Sequence, residues 1–357
     1  MRIPTRFVWF KVSLLIGVTL LFYWLLILQV EYSRKFNSKK PVKYILILGY
    51  YRSGSSFLGD IIQQAANTCY IYEPLQLFTK SKRINNDEID EALYIIENYF
   101  QCQFDVGPSV NLNRTEIHHW NYKWMKWLFP VCLNRYQKVC PSSTQNLTKL
   151  CLPLENRVIK SVRLPMSALE LFMLSMDPFI DFNIIYLVRD PRAMFNSRTK
   201  HPWCTSDPEC IQPQSICQQM REDINTYNRL VKLYPNKLSV TRHEDISMKP
   251  EETVQRLYKS LNLPFTDELK VYLYFHTSNL RKSGKYSVIK HSKTVVNQWM
   301  KQMKKDEIEE VQEYCEDVFK LLGYVNISDE FLSALQPNST NVLPSTFENV
   351  YSLSNAI

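Results

Sequence analysis

"YILILGYYRSGSSFLGDIIQQAA", residues 44–66, decides the fold. Tyr44 to Leu48 form an uninterrupted apolar run, the pattern of a strand buried on both faces of a parallel sheet. From Ser55 to Ala66, the residues Phe57, Leu58, Ile61, Ile62, Ala65 and Ala66 recur at helical spacing. A glycine turn joins the two elements, so backbone N–H groups and the positive end of a helix converge where an anion would bind. Gly49 and Gly54 keep the spacing of the phosphate-binding loop GxxxxGK[ST], but Ser55 stands where its lysine should be. The loop's cation is Arg52, two residues before the second glycine, and Ser55 and Ser56 add hydroxyl donors. A serine-capped turn that holds nothing would read the same way, so the loop alone leaves anion binding open.

Outward from this stretch, strand-like runs recur at Val158–Val162, Ile184–Val188 and Leu238–Thr241. Helical patterns fall at Met166–Met176, Ser215–Leu233, Pro250–Leu261 and Asp306–Leu322. This alternation predicts an α/β fold, a P-loop-like parallel sheet with helices on both faces. Residues 80–155 break the rhythm with aromatics, cysteines and two sequons, and read as an insertion that binds an acceptor. Residues 199–214 form a second irregular loop.

The chain of 357 residues is 45% hydrophobic, enough to bury a full core. Val12 to Val30 is a run of 19 residues without a charge, the length of a single transmembrane helix. No small-residue cleavage site follows it, so it reads as an uncleaved signal-anchor, with a removed signal peptide as the weaker alternative. All nine cysteines and the four sequons at Asn113, Asn146, Asn326 and Asn338 lie beyond it. That distribution predicts a type II membrane protein: a cytosolic tail (1–11), the anchor (12–30), a stem (31–42), a luminal domain (43–330) and a loose tail (331–357). In an oxidising lumen eight cysteines would form up to four disulfides, leaving Cys69 unpaired. Zinc is the competing use of the cysteines, but no CxxC pair occurs. The net charge of +8 falls to +5 without the three cations of residues 1–30, a mild excess that suits an anionic ligand or glycan. Nucleic acid is not an expected partner in that compartment.

"IIYLVRDPRAMFNSR", residues 184–198, is a second strand running into a turn and helix. It brings Arg189, Arg192, Ser197 and Arg198 to the carboxyl edge of the sheet, where open α/β folds bind ligands. A magnesium-binding acid would end such a strand in a kinase, and here an arginine comes first. A pairing of Arg189 with Asp190 at the helix start is an equally good reading of this stretch alone.

The pair "YRSGSSF" and "RDPRAMFNS" resembles the two cofactor-binding segments of Golgi carbohydrate 6-O-sulfotransferases, which modify N-acetylglucosamine or galactose. "YEPL" (72–75), "IKSVRLP" (159–165), "RHEDI" (242–246), Trp299 and "LLGY" (321–324) follow in family order, so the similarity covers about residues 43–325. The resemblance implies 3′-phosphoadenosine 5′-phosphosulfate (PAPS) as donor, a glycan or glycoprotein acceptor, the Golgi membrane as location and no metal. A homodimer is compatible with it. It implies that Tyr51, Arg52, Ser53, Gly54, Ser55, Ser56 and Phe57 wrap the 5′-phosphosulfate, with Arg52 on the bridging oxygen. It assigns Arg189, Asp190, Pro191, Arg192, Ala193, Met194, Phe195, Asn196 and Ser197 to the other cofactor segment, Arg189 and Ser197 holding the 3′-phosphate. Glu73 matches the family's proposed general base, with Pro74 expected to keep its backbone extended. Met300 departs from the arginine usual after Trp299, and Lys290, His291 and Ser292 depart from an Arg, Asn or Asp, Ser pattern. Lys160 and Arg163 face either the cleft or solvent, and His118, His119 and His243 read as structural or surface residues. The alternatives are an inactive anchored glycan-binding protein and a luminal nucleotide-dependent kinase, the latter disfavoured by Ser55 and the missing magnesium-binding acid.

Overall fold

The computed structural model describes residues 23–24, 27, 42–76, 78, 83–106, 116–118, 125–128, 139–141, 143–175, 180–278, 288 and 291–327. The chain divides into two units, 1–41 and 42–357. In the first, Tyr23, Trp24 and Ile27 are helical and exposed. The rest of the expected 12–30 span, stem residues 31–41, the C-terminal tail, Asn113, Asn338, His119 and Lys290 lie outside the described residues. No helix among the described residues is long and apolar enough to cross a membrane.

The second unit is built on a five-stranded sheet in the order β2-β5-β1-β6-β7. Its strands are β1 (Lys43–Leu48), β2 (Thr68–Tyr72), β5 (Asn156–Ser161), β6 (Asp181–Val188) and β7 (Leu238–Arg242), and every pairing is parallel. The short strands β3 (Glu116–His118) and β4 (Val139–Pro141) form a separate antiparallel pair. The four expected sheet strands are all present. The edge strand β2 is a fifth, beyond those four.

β1 is buried along its length because alternate side chains feed two different cores, the period of two that a central strand imposes. Ile45 and Ile47 pack with α1 (Ser55–Ile62) and with Ile246, Val254 and Tyr258 on one face. Tyr44, Leu46 and Leu48 pack on the other face with α2 (Ile89–Phe100), α3 (Ala168–Ser175) and α5 (Pro213–Leu233). Helices on both faces leave the carboxyl ends of β1, β5 and β6 as the open edge. There β1 turns into α1, and β6 turns into α4 (Pro191–Arg198), with Asp190 capping it through Arg192 N–H.

The expected helix 306–322 is two helices, Lys305–Tyr314 and Glu316–Leu322, divided at Cys315, which is bonded to Cys217. Disulfides Cys102–Cys151 and Cys204–Cys210 are the others among the described residues, and Cys69 is free and buried in β2. Asn146 and Asn326 are both exposed.

Candidate active site

The turn after β1 is tightened from inside. Ser53 is fully buried, and its Oγ accepts the Tyr50 N–H at 3.2 Å. Its hydroxyl therefore closes the loop and does not reach into the cleft. Gly54 has φ +92, and a Cβ there would lie 2.3 Å from His243 Nδ1. Glycine is required twice over at this position, for the left-handed backbone and for the imidazole lying against it. The N–H groups of Phe57 and Leu58 both go to Gly54 O, so α1 begins inside the loop with its first amides aimed at the open edge. Ser55 is buried, Ser56 Oγ lies 3.4 Å from Tyr72 Oη, and the Phe57 side chain belongs to the core against His243.

Arg52 also sits in the left-handed region, at φ +68, an uncommon state for a residue with a side chain. Its Nε donates to Ser197 Oγ at 2.9 Å, so the two predicted cofactor segments meet across 145 residues. Its carbonyl accepts Arg189 Nη1 at 2.7 Å. Arg189 Nε is buried without a hydrogen-bond partner among the described residues. An orphaned guanidinium donor beside a hydroxyl, an arginine and a helix N-terminus fits a phosphate.

The remainder of the second segment is scaffold. Asp190 and Arg192 are fully buried and paired in a fork, with Arg192 Nη2 to Asp190 Oδ2 at 2.9 Å and Nε to Oδ1 at 3.0 Å. Arg192 also donates to Gln312 Oε1 and Val325 O, and its guanidinium lies over the Trp299 and Phe319 rings. The side chains of Asp190 and Arg192 thus pair with each other and, through Arg192, anchor the C-terminal helices; Asp190 bonds to Arg192, not Arg189. Pro191, Ala193, Met194 and Phe195 are buried, and Asn196 donates to Gln302 Oε1 at 2.9 Å. Met300 is buried beside Trp299, and Ser292 Oγ donates to Ser247 O at 2.6 Å.

Glu73 follows β2 at the same edge, only 3% exposed. Pro74 does not hold it extended: its φ is +48, and its N–H reaches Lys160 O at 3.2 Å. Arg163 Nη1 donates to Oε2 at 2.5 Å, and Lys160 Nζ lies 2.7 Å from Oε1. Each carboxylate oxygen is thus held by a different buried cation. Lys160 also sits 4.0 Å over the Tyr72 ring, its neighbour across the β2–β5 pair. Lys160 and Arg163 are thus buried against Glu73 and do not face solvent. Neither this pairing nor the packing of His243 on Gly54 was legible in the spacing, because each joins segments far apart in the chain.

Glu244 lies beneath this edge. It is 1% exposed, accepts the Asp190 N–H at 3.1 Å, and accepts the Tyr324 hydroxyl at 3.0 Å. Burial, then the Asp190 carboxylate, push its pKa up from 4.5 to about 7, against the pull of Arg189.

A family model for the sulfotransferase domain matches residues 43–323. Mouse carbohydrate sulfotransferase 1 is 24% identical over 336 residues, covering 80% of each chain. Carbohydrate sulfotransferase 3 of Tetronarce californica is 27% identical over 333 residues, covering 81% of this chain and 74% of its own. Among solved structures, a mouse sulfotransferase complexed with PAP matches at 10% identity and a TM-score of 0.40, covering 82% of this chain and 87% of that one.

Glu244 generates a pH prediction. A carboxyl with a raised folded-state pKa holds its proton longer in the folded chain, so its stabilising effect is complete below about 4.5 and lost as pH rises to about 7. Glu244→Gln should remove that loss: melting temperatures measured from pH 4.5 to 8 should diverge from wild type in the variant's favour toward the alkaline end. Parallel curves would show that Glu244 does not titrate in this window.

Proposed function

The chain belongs to the sulfotransferase domain family, whose model spans its residues 43–323, and on that premise we propose that it transfers a sulfuryl group from PAPS to a sugar hydroxyl of a glycan. The 6-hydroxyl of N-acetylglucosamine or galactose is the proposed acceptor position. The carbohydrate class is supported by the names of the relatives it resembles at 23–27% identity. The observation that carries the donor assignment is the Arg52–Ser197 contact beside the orphaned Arg189 Nε. It gathers donors from two segments around space suited to two separated phosphates.

Glu73 is assigned the general base. Arg163 holds Oε2 and Lys160 holds Oε1, and in this reading the carboxylate takes the proton of an acceptor hydroxyl brought to the same edge of the sheet. In the transfer the sugar oxygen bonds to sulfur as the bond from sulfur to the bridging phosphate oxygen breaks. The hydroxyl proton goes to Glu73, and Arg52 with the loop amides meets the charge left on the phosphate. The same reading makes the chain a single-pass type II Golgi protein with its catalytic domain in the lumen. The uncharged run 12–30, three disulfides and exposed Asn146 and Asn326 support it. Enzymatic removal of N-glycans should shift the gel mobility, and no shift would reverse the topology.

The deciding experiment supplies the full chain, in detergent, with labelled PAPS or labelled ATP and a panel of galactose- and N-acetylglucosamine-terminated glycans. Sulfate transfer is expected from PAPS alone; phosphate transfer from ATP, or PAPS binding with no transfer to any sugar, would overturn the proposal. Arg52→Ala and Ser197→Ala should each raise the Kd for PAP about ten- to a hundredfold, since a hydrogen bond to a charged group is typically worth ~1.5–3 kcal/mol. Glu73→Gln should lower turnover by roughly 10²–10⁴ with PAP affinity kept. Because that change strips two buried cations of their carboxylate, the melting temperature should also drop, so turnover must be read well below the transition. Near-normal turnover in folded, PAP-binding Glu73→Gln protein would remove Glu73 from the mechanism.

A further inference from the structure

Arg198, the last residue of α4, is 2% exposed and directs its guanidinium at two carbonyls. Nε donates to Tyr51 O in the donor loop at 3.1 Å, and Nη1 donates to Cys210 O at 3.0 Å. It therefore fastens the segment after α4 to the turn after β1. That segment consists of two short helices, Pro202–Thr205 and Pro208–Ile211, closed on each other by the Cys204–Cys210 disulfide. Held to the donor loop through Arg198 and closed by its disulfide, it carries Trp203 beside Tyr51.

The half-buried Trp203 ring lies 5.2 Å from the Tyr51 ring, with His201 behind it at 5.7 Å. The Tyr51 ring in turn lies 5.2 Å from the Arg163 guanidinium, which holds Glu73. Tyr51 Oη is buried without a hydrogen-bond partner among the described residues. The Tyr51 ring thus lies between Trp203 of the disulfide-closed segment and the arginine that holds Glu73. An aromatic face and an orphaned hydroxyl, one ring-width apart along the route to a carboxylate, are the mixed lining that recognises a sugar.

We propose that Trp203 and the Tyr51 hydroxyl form the acceptor subsite, in which a pyranose lays its C–H-rich face on Trp203, bonds a ring hydroxyl to Tyr51 and points its 6-hydroxymethyl group at Glu73. This rests on the sulfotransferase reading and adds the residues that choose the acceptor. Holding the tryptophan in a disulfide-closed segment makes the platform preorganised, so little ordering accompanies binding.

The test separates sugar binding from chemistry. Full-length protein in detergent is titrated with N-acetyllactosamine, followed by saturation-transfer NMR, and separately with PAP, followed by calorimetry. Trp203→Ala should weaken N-acetyllactosamine binding roughly tenfold or more. Its PAP Kd should stay within about twofold of wild type, which also certifies that the variant is folded. Trp203→Phe, which keeps an aromatic face, should recover most of the loss. N-acetyllactosamine binding that is absent in wild type, unchanged in Trp203→Ala, or lost together with PAP binding would overturn the inference. Sugar binding that follows this pattern without any sulfate transfer would count against the proposed function and leave the subsite standing.

Discussion

Glu73 lies between Lys160 and Arg163 with almost no access to water, and the architecture of the open edge follows from that contact. Two cations and one carboxylate withdrawn from solvent are expensive to bury, and a pair of apolar side chains would serve stability as well or better. The triad links the residue after β2 to β5 and to the turn after β5, beside the backbone pairing of the two strands. Each carboxylate oxygen meets a different cation, Oε2 the Arg163 guanidinium and Oε1 the Lys160 ammonium.

The backbone tells the same story. Among the residues other than glycine with positive φ are three asparagines, which tolerate that region, and two charged residues, Arg52 and Glu73. Such conformations cost about 1–3 kcal/mol each and persist where surrounding contacts over-determine them. Arg52 is held through its carbonyl by Arg189, and Glu73 through its N–H by Lys160 O. Both strained residues bear the side chains assigned to the chemistry, and both are held by the cations that line the cleft. His243 adds a further constraint by filling the space that a Cβ at Gly54 would need.

The sheet was legible because its central strands are continuous apolar runs, a signal that needs no knowledge of neighbours. β2, "TCYIY", was harder. It is short and follows α1 closely, so its length and composition suit a turn-flanking run as well as an edge strand. The helix boundary at Cys315 was hidden because a disulfide to a distant helix, and not the local sequence, sets it. Within residues 189–197, the buried partners of Asp190 and Arg192 were not legible from the motif. A motif lists neighbours in sequence, while a helix turns successive side chains to different sides, here Ser197 to the cleft and Arg192 to Trp299. Glu73, Arg52 and Ser197 came from family resemblance. The roles of Lys160, Arg163, Arg198 and Trp203 depend on partners tens to hundreds of residues away, which no spacing rule encodes.

The displaced cation of the loop has a physical sense in this frame. A lysine at position 55 would grow from the first turn of α1, where Ser55 is already buried, and could reach only a phosphate chain lying along the helix axis. Arg52 grows from the opposite side of the turn and ends at Ser197 on α4. Its charge therefore stands between the mouth of α1 and the end of β6, where Arg189 offers an unsatisfied donor. A nucleoside triphosphate concentrates its anions in one chain and is best met by a cation over that chain with a metal beside it. A donor with one phosphate on each side of a ribose would be better met by a cation between the two segments, and on the proposed function Arg52, bonded to Ser197, is that cation.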